Sequence, residues 1–166
     1  MTGIAGLKGL THLYVSYTRV SNAGLRDIAK LRALTRLNLN CTDVTGAGLE
    51  HLAPLKQLTH LGIAGTGTTD ADLKHLAAFD RLEHLNLTGT RVTDAGLREV
   101  AWHRRLTKLY LRHTRVTDVG LRELHALDGL TNVDLELTRV TKDGVAALRA
   151  ARPKSNVPEP KVTLYE

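Results

Sequence analysis

The sequence predicts an α/β solenoid, in which short parallel strands line the inner side of an arc and helices line its outer side. Two observations carry this prediction. A unit of 24 residues recurs six times without insertion, and the units open at Leu10, Leu34, Leu58, Leu82, Leu106 and Leu130. Within each unit, apolar residues first alternate along the chain and then recur at helical spacing. A period in the twenties with these two patterns is typical of a right-handed solenoid of strand–helix units.

The first part of each unit predicts a strand. Counted from the opening leucine, positions 4 and 6 are apolar in every unit: Leu13 and Val15, Leu37 and Leu39, Leu61 and Ile63, Leu85 and Leu87, Leu109 and Leu111, Val133 and Leu135. This alternation indicates a short, half-buried strand. Because one strand recurs in each unit, we expect parallel neighbours, with positions 3, 5 and 7 aligned in columns on the exposed face.

The second part of each unit predicts a helix. Position 12 carries a hydroxyl in every unit: Ser21, Thr45, Thr69, Thr93, Thr117 and Thr141. A hydroxyl there predicts a helix N-cap, with Asp94 and Asp118 as anions in the first turn. Apolar residues at positions 16, 19 and often 22 then predict a helix of about two to three turns, placed on the outer side by right-handed crossovers. The third unit carries Asp72 where the others have glycine, so we expect its local geometry to differ.

Threonine occupies position 9 in every unit: Thr18, Thr42, Thr66, Thr90, Thr114 and Thr138. These residues stand where the strand turns away and leaves backbone polar groups unpaired. Their regularity favours a structural role over a nucleophilic one. We expect a ladder of buried hydroxyls that satisfies those backbone groups turn after turn.

The fourth unit ends differently from the others. Trp102 and His103 stand where the helix is expected to finish in alanine and leucine. We expect Trp102 to turn inward and fill the volume of the missing leucine. The alternative is an exposed tryptophan that makes a contact on the outer face.

The repeat boundaries predict one domain over residues 1–166. It would comprise a partial repeat at 1–9, six repeats at 10–153 and a C-terminal cap with a short strand at 154–166. No strand precedes that of Leu13, so this strand is expected to form an uncapped sheet edge, which invites pairing. Such an edge indicates either a truncated longer protein or an edge that docks to another chain.

Composition bounds the classes of function. The formal charge of +6 and the pI of about 9.7 favour acidic partners and, more weakly, nucleic acid. Cys41 is the single cysteine, so no internal disulfide forms. The sequence shows neither a signal peptide nor an apolar run of about 20 residues that would span a membrane. These features predict a cytoplasmic location without membrane association.

Three phrases carry a resemblance to a known family: VTGAGLEHLAPL (Val44 to Leu55), VTDAGLREVA (Val92 to Ala101) and VTDVGLRELHAL (Val116 to Leu127). They resemble the cysteine-containing, ribonuclease-inhibitor-like class of leucine-rich repeats, which occurs in F-box substrate receptors and in many bacterial proteins. The resemblance implies a horseshoe arc that recognises proteins on its concave face. Threonine replaces the cysteine or asparagine usual at the turn, and the units are slightly short for the class. The chain shows no F-box, so a role in ubiquitin ligation is not implied.

The exposed columns supply the candidate partner-binding residues: Tyr14, Tyr17, Arg36, Asn38, His60, His84, Lys108, Tyr110, Arg112 and His113. These positions vary between units, whereas the core positions do not. Tyrosine and arginine are among the residues most enriched in binding hot spots. Acidic residues enter the columns in the last unit, at Asp134 and Glu136, so the face is graded in charge. We therefore predict a protein–protein interaction module with a basic, tyrosine-bearing concave face and an acidic partner of unknown identity.

A structural module that forms homo-oligomers through its N-terminal edge is the alternative function. A metal site at the adjacent His60 and His84 is disfavoured because Arg36 and Lys108 flank them, and zinc needs further ligands. No metal or cofactor is therefore expected. A nucleophile, a base and an orienting group do not converge in the sequence pattern, so we predict that the protein is not an enzyme.

A second basic row lies at position 10, where four units carry arginine: Arg19, Arg91, Arg115 and Arg139. Such a row could meet phosphates along a groove edge. However, stacking aromatic residues are not interleaved with it, as single-strand binding normally requires. The sequence therefore argues against nucleic acid as the partner.

Overall fold

A computed structural model describes residues 4–151 of the chain. Its six strands form one parallel sheet in chain order: β1 (His12–Tyr14), β2 (Arg36–Asn38), β3 (His60–Gly62), β4 (His84–Asn86), β5 (Lys108–Tyr110) and β6 (Asn132–Asp134). The cap expected at 154–166 lies outside the described residues.

The strand register aligns equivalent positions of successive units. Leu13 pairs with Leu37, and the same column continues through the middle residue of each strand to Val133. The middle residues of β2 to β6 are buried, while Leu13 in β1 is partly buried. Positions 3 and 5 therefore form columns on the exposed, concave face. The predicted α/β solenoid arc, with parallel strands inside and helical segments outside, is confirmed.

The helical segments of the convex side are about two to three turns long, as expected, but they mix α-helix with 3-10 helix. The α-helices are α1 (Asn22–Ile28), α2 (Gly46–Leu49), α3 (Asp94–Val100), α4 (Asp118–Leu121) and α5 (Lys142–Ala151). Segments of 3-10 helix occupy Ile4–Gly6, Glu50–Leu52, Asp70–Ala78 and Arg122–Ala126. A 3-10 helix rises about 2.0 Å per residue against about 1.5 Å for an α-helix, so it spans the outer side with fewer residues. The helical segment of the third unit, Asp70–Ala78, is 3-10 helix throughout, which confirms the expected local difference. No helix among residues 4–151 is long and apolar enough to cross a bilayer.

One core column corrects the expectation for Trp102. This side chain is 75% exposed, whereas its neighbour His103 is only 7% exposed. His103 stands at position 22, in the column that Leu55, Phe79 and Leu127 fill with fully buried side chains. Trp102 and His103 both follow the end of α3 at Val100, in a turn where the His103 N–H donates to the Val100 carbonyl at 3.0 Å. This turn directs position 22 inward and position 21 outward, so the histidine takes the volume of the leucine and the tryptophan does not.

The position-9 threonine hydroxyls satisfy backbone polar groups in unit after unit, as expected, and four of them are buried: Thr42, Thr66, Thr90 and Thr114. Each hydroxyl donates within its own unit, to the strand carbonyl three residues earlier, as Thr42 does to Leu39 at 2.6 Å. The same bond occurs at Thr18, Thr66, Thr90, Thr114 and Thr138. Hydroxyl bonds between units instead come from position 2, where Thr35 donates to the Thr11 carbonyl at 3.1 Å and Thr59 to the Thr35 carbonyl at 3.0 Å.

The predicted N-cap positions are confirmed where the structure assigns them, at Ser21, Thr45, Thr69, Thr93 and Thr117. The hydroxyls of Thr93 and Thr117 accept a first-turn N–H as expected, whereas those of Ser21 and Thr45 make no cap hydrogen bond. The acidic residues of the first turn have an additional role that was not expected. Asp70 Oδ1 accepts the Thr93 backbone N–H, and Asp70 Oδ2 accepts the Thr93 hydroxyl, both at 2.7 Å. These bonds recur between Asp94 and Thr117 and between Asp118 and Thr141. These first-turn carboxylates therefore tie the third, fourth and fifth units to the units that follow them.

Candidate binding surface

The concave face contains a hollow of about 170 Å³ between Tyr14 on β1 and Tyr110 on β5. We call it the Gly62 hollow. It is lined by Tyr14, Arg36, Leu37, Asn38, Asn40, His60, Leu61, Gly62, His84, Leu85, Asn86 and Tyr110. Position 5 carries tyrosine, asparagine or aspartate in the other units, so the missing side chain of Gly62 interrupts that column.

The Asn40 side chain explains why residue 62 is glycine. Asn40 Oδ1 accepts the backbone N–H of Ala64 in the next unit, at 2.8 Å. A Cβ placed on Gly62 would approach that same oxygen to 2.7 Å, which is closer than real Cβ contacts come. Glycine therefore lets the amide of one unit reach across to the backbone of the next.

Amide hydrogen-bond donors remain free in the Gly62 hollow. Asn38 Oδ1 accepts the Asn40 backbone N–H at 2.9 Å, and Asn86 Oδ1 accepts the Thr88 backbone N–H at 3.0 Å. Because the backbone N–H groups take the amide oxygens, the side-chain NH₂ groups are left over. Within residues 4–151, the NH₂ groups of Asn38, Asn40 and Asn86 donate to no acceptor. They can therefore donate to a ligand.

His60 and His84 stack in neighbouring strands, with ring centroids 3.9 Å apart and ring planes tilted by 53°. Burial, the adjacent His84 and the nearby Arg36, Lys108 and His12 lower the pKa of His60 to about 4. Burial lowers the pKa of His84 too, with Lys108 and Arg36 adding to the effect and Glu83 opposing it. Both rings are therefore neutral at pH 7.

The hydrogen bonds of Thr59 assign the tautomer of His60. The Thr59 hydroxyl donates its one proton to the Thr35 carbonyl at 3.0 Å. The contact of 2.8 Å between Thr59 Oγ1 and His60 Nδ1 must then be donated by the ring. The neutral His60 therefore carries its proton on Nδ1, and Nε2 holds a lone pair.

The cations of the concave face differ in their pairing. Arg112 forms an ion pair with Glu136 of the next unit. Neither Arg36 nor Lys108 forms an ion pair within the described part of the chain, and Arg36 is exposed. The lining of the Gly62 hollow contains no carboxylate. Its electrostatic character is therefore set by an unpaired guanidinium and neutral donors.

The structure brings together six of the ten predicted partner-binding residues in this lining: Tyr14, Arg36, Asn38, His60, His84 and Tyr110. Lys108 pairs in register with His84 but is not part of the lining, and Arg112 is held by Glu136. Tyr17 and His113 lie at position 8, both with φ of 57°, in the left-handed turn that follows the strand. These four residues do not belong to the hollow.

Sequence reasoning passed over Asn40, Gly62 and Asn86 as site residues. They belong to the same exposed columns as the chosen ones, and two spacing signals point to them. Asn38 and Asn40 alternate on one strand face, and Gly62 interrupts a column of side chains.

Two other candidate features of the sequence lie outside the hollow or are not found among residues 4–151. At position 10, Arg19, Arg91, Arg115 and Arg139 are all exposed. In the described part of the chain, no group of three or more His, Cys, Asp or Glu side chains is placed to hold a metal ion.

Comparisons with known proteins agree with this geometry. Residues 30–53, 82–101 and 104–124 match the family model described as Leucine Rich repeat. A comparison with curated protein sequences found no match.

Three solved structures share the architecture. An LRR protein of Leptospira interrogans is similar at 20% identity and a TM-score of 0.72, over 93% of this chain and 38% of its own. An internalin of Listeria monocytogenes is similar at 18% identity and a TM-score of 0.56, over 98% of this chain and 57% of its own. Internalin C2 of the same organism is similar at 20% identity and a TM-score of 0.58, over 96% of this chain and 83% of its own.

The chain thus spans less than two thirds of the length of the first two of these proteins. The ribonuclease-inhibitor-like class and the length of its repeat stay predictions. What the matched repeats, the parallel sheet and the structural likenesses establish together is a leucine-rich-repeat fold.

Proposed function

We propose that this chain is a protein-interaction module that binds a protein partner on its concave face. The observation that carries the proposal is the Gly62 hollow, where unpaired donors lie between two tyrosines. Solenoids use such extended concave surfaces for binding. Tyrosine offers a large contact area together with a polar hydroxyl, which suits it to interfaces.

The Gly62 hollow differs from the rest of the concave face in how many of its polar groups already have a partner within the chain. Arg112 is already neutralised by Glu136, whereas Arg36 and the amides of Asn38 and Asn86 have no partner for their N–H groups within residues 4–151. Groups that are unpaired and partly desolvated gain most from a partner that pairs them. We therefore propose that the partner site is centred on β2 to β4, which carry these unpaired groups.

We also propose that residues 1–166 form one domain, that its repeats are of the ribonuclease-inhibitor-like class, and that it does not act as an enzyme. The position-9 threonine hydroxyls, the most regular candidate nucleophiles, all donate to backbone carbonyls. A single cysteine, Cys41, suits the reducing cytoplasm.

Affinity capture with matched variants tests the concave face. The concave variant is Tyr14→Ser with Tyr110→Ser, and the convex control is Trp102→Ser, because Trp102 is 75% exposed on the helical side. We expect the wild-type chain and the convex control to capture the same partner protein, and the concave variant to lose it. Capture that survives the concave changes and is lost with Trp102→Ser would show that the convex side binds instead. Circular dichroism of each variant checks that the fold is retained.

Self-association through β1 is the alternative function, and the position of β1 supports it. Among the described strands β1 is paired on one side only, and Leu7 (52%), Tyr14 (60%) and Tyr17 (84%) are exposed near it. Sedimentation velocity at low and high concentration tests this alternative. A monomer at every concentration would exclude it, and a concentration-dependent dimer that a proline at His12 abolishes would support it, because Val15 and Tyr17 donate their N–H groups to β2 and the alternate His12 N–H faces the free edge.

A further inference from the structure

We infer that the Gly62 hollow receives a carboxylate side chain, an aspartate or glutamate, from an extended segment of the partner protein. This inference rests on the proposed function, because it names the chemistry of the partner at the same site.

The balance of donors and acceptors in the hollow points to an anion. The free donors are the Arg36 guanidinium and the side-chain NH₂ groups of Asn38, Asn40 and Asn86, and they outnumber the free lone pair of His60 Nε2. The amide oxygens that could have balanced them already accept backbone N–H groups. A ligand that pairs with these donors brings acceptor oxygen atoms, and the unpaired guanidinium favours one with negative charge; a carboxylate supplies both.

The charges around the two histidines point the same way. His60 and His84 lie near the cations Arg36 and Lys108 and near His12, and among residues 4–151 the acid that acts on a ring is Glu83, on His84. A carboxylate placed in the hollow would reverse the sign of that field. It would raise the pKa of both rings, because an opposite charge nearby favours the protonated form.

The tautomer of His60 couples this effect to binding. Its Nδ1 proton is engaged with Thr59, so Nε2 can donate to a carboxylate only after the ring takes up a proton. Binding of an acidic side chain is therefore expected to be accompanied by proton uptake, and the affinity rises as the pH falls.

The span of the hollow fits an extended segment rather than a free small anion. Tyr14 and Tyr110 lie on β1 and β5, four strand spacings apart, which is roughly 19 Å. About six residues of extended chain cover this distance, and alternate side chains of such a segment face the sheet. The tyrosines then contact the two ends while the middle of the segment lies over Gly62.

A synthetic hexapeptide in which glutamate alternates with serine tests the inference, with glutamine in place of glutamate as the control peptide. Fluorescence anisotropy at low ionic strength measures both affinities. We expect the glutamate peptide to bind at least about tenfold more tightly, since charge-assisted hydrogen bonds are about twice as strong as neutral ones. Its affinity should rise about threefold from pH 7.5 to pH 5.5 through proton uptake, because glutamate itself stays charged in this range. Equal binding of the two peptides would overturn the inference.

Two arginine variants separate the hollow from general basic charge. Arg36→Gln removes a cation from the hollow, and Arg91→Gln removes the same charge from an exposed position outside it. We expect Arg36→Gln to weaken glutamate-peptide binding about tenfold, the value of one charge-assisted bond, and Arg91→Gln to leave it nearly unchanged. Equal losses in both variants would show non-specific attraction and overturn the inference.

The results of the peptide experiment and the capture experiment distinguish failure of the inference from failure of the proposed function. If the glutamate peptide does not bind while the Tyr14→Ser, Tyr110→Ser variant still loses its protein partner, the carboxylate inference is wrong and the proposed function stands. If the tyrosine variant keeps its partner, the proposed function is wrong, and so is the inference that rests on it.

Discussion

The carboxylate of Asp72 fills the space above Gly46 of the preceding unit, where a Cβ would lie only 1.7 Å from Asp72 Cγ. From there Asp72 Oδ2 accepts the backbone N–H and the hydroxyl of Thr69, at 2.8 and 2.7 Å. The other junctions use the opposite arrangement. There an asparagine or aspartate at position 13 of one unit reaches the next cap threonine, and a glycine at position 15 of the following unit leaves it room. The junction between the second and third units therefore uses the same pair of residue types in exchanged positions: glycine stands at position 13, as Gly46, and aspartate stands at position 15, as Asp72.

Exchanging Gly46 and Asp72 tests this relationship. Gly46→Asp alone should destabilise the chain by about 2 kcal/mol, because two carboxylates then compete for one space. Asp72→Gly alone should cost about 1 to 3 kcal/mol, because the Thr69 N–H and hydroxyl lose their acceptor. The double variant rebuilds the arrangement of the other junctions and should recover most of the loss. Urea unfolding of the four proteins measures the coupling.

Additive losses in that cycle would contradict the exchange. The wild-type junction between Asp70 and Gly96 supplies the internal comparison, since Asp70→Gly there has no Asp at position 15 to replace it. This variant should behave like Asp72→Gly and should not be rescued by Gly46→Asp.

Much of this fold was predictable because each unit repeats the same order of strand, cap residue and helix in its sequence. Leu37 and Leu85 alternate with exposed residues as a half-buried strand must, and Thr93 stands where a helix needs a cap. The exposed columns followed from the same register, so six of the ten predicted site residues do line the hollow.

The parts that sequence reasoning missed depend on contacts between units. Whether Trp102 or His103 faces the core depends on the turn that follows the end of α3, and side-chain volume alone favoured the wrong residue. The hydrogen bond between the Asn40 side chain and the Ala64 backbone joins residues 24 apart, so no local sequence pattern predicts it. The hollow itself arises from an absent side chain at Gly62, which hydropathy and charge do not register.

The left-handed turn at position 8 predicts a cost for Gly89→Ala. Gly89 has φ of 65°, and the nearest atoms to an added Cβ are 3.8 Å away, so backbone conformation alone resists the change. We expect a loss of about 1 kcal/mol in the free energy of unfolding. The matched control is Gly67→Ala, where φ is not positive and the added Cβ meets Thr45 Cγ2 at an ordinary 3.5 Å. Equal stabilities of the two variants in urea would contradict this explanation.

The positive charges near His60 predict that its pKa rises when the Arg36 guanidinium is removed. Burial is the main cause of its low pKa, followed by His84 and then Arg36. Arg36→Gln should therefore raise the pKa of His60 from about 4 toward the ordinary histidine value without reaching it. Titration of the ring carbons by NMR measures this shift. Arg91→Gln is the control, and an unchanged His60 titration in Arg36→Gln would show that the guanidinium does not act on the ring.

His103 predicts a loss of stability in acid. It is buried, and its Nε2 has no hydrogen-bond partner among the described residues. Burial lowers its pKa, while the Phe79 backbone and the nearby Asp80 and Glu99 oppose the shift. Below about pH 6.5, the ordinary histidine value, the unfolded chain then binds more protons than the folded chain. The contribution of this group to stability therefore decreases as the pH falls from 7 toward 5.

Two replacements separate the titration of His103 from its packing. His103→Leu restores the leucine of the neighbouring units, so we expect a gain of about 1 kcal/mol at pH 7 and a smaller loss on going to pH 5. His103→Gln keeps a buried polar group that does not titrate, so it should show the smaller loss in acid without the gain at pH 7. His60 and His84 add their own acid dependence to all three proteins, and the differences between the proteins isolate His103. If urea unfolding gave all three the same decrease between pH 7 and pH 5, the proton would not be excluded from this site, and the buried imidazole would be charged in the folded chain.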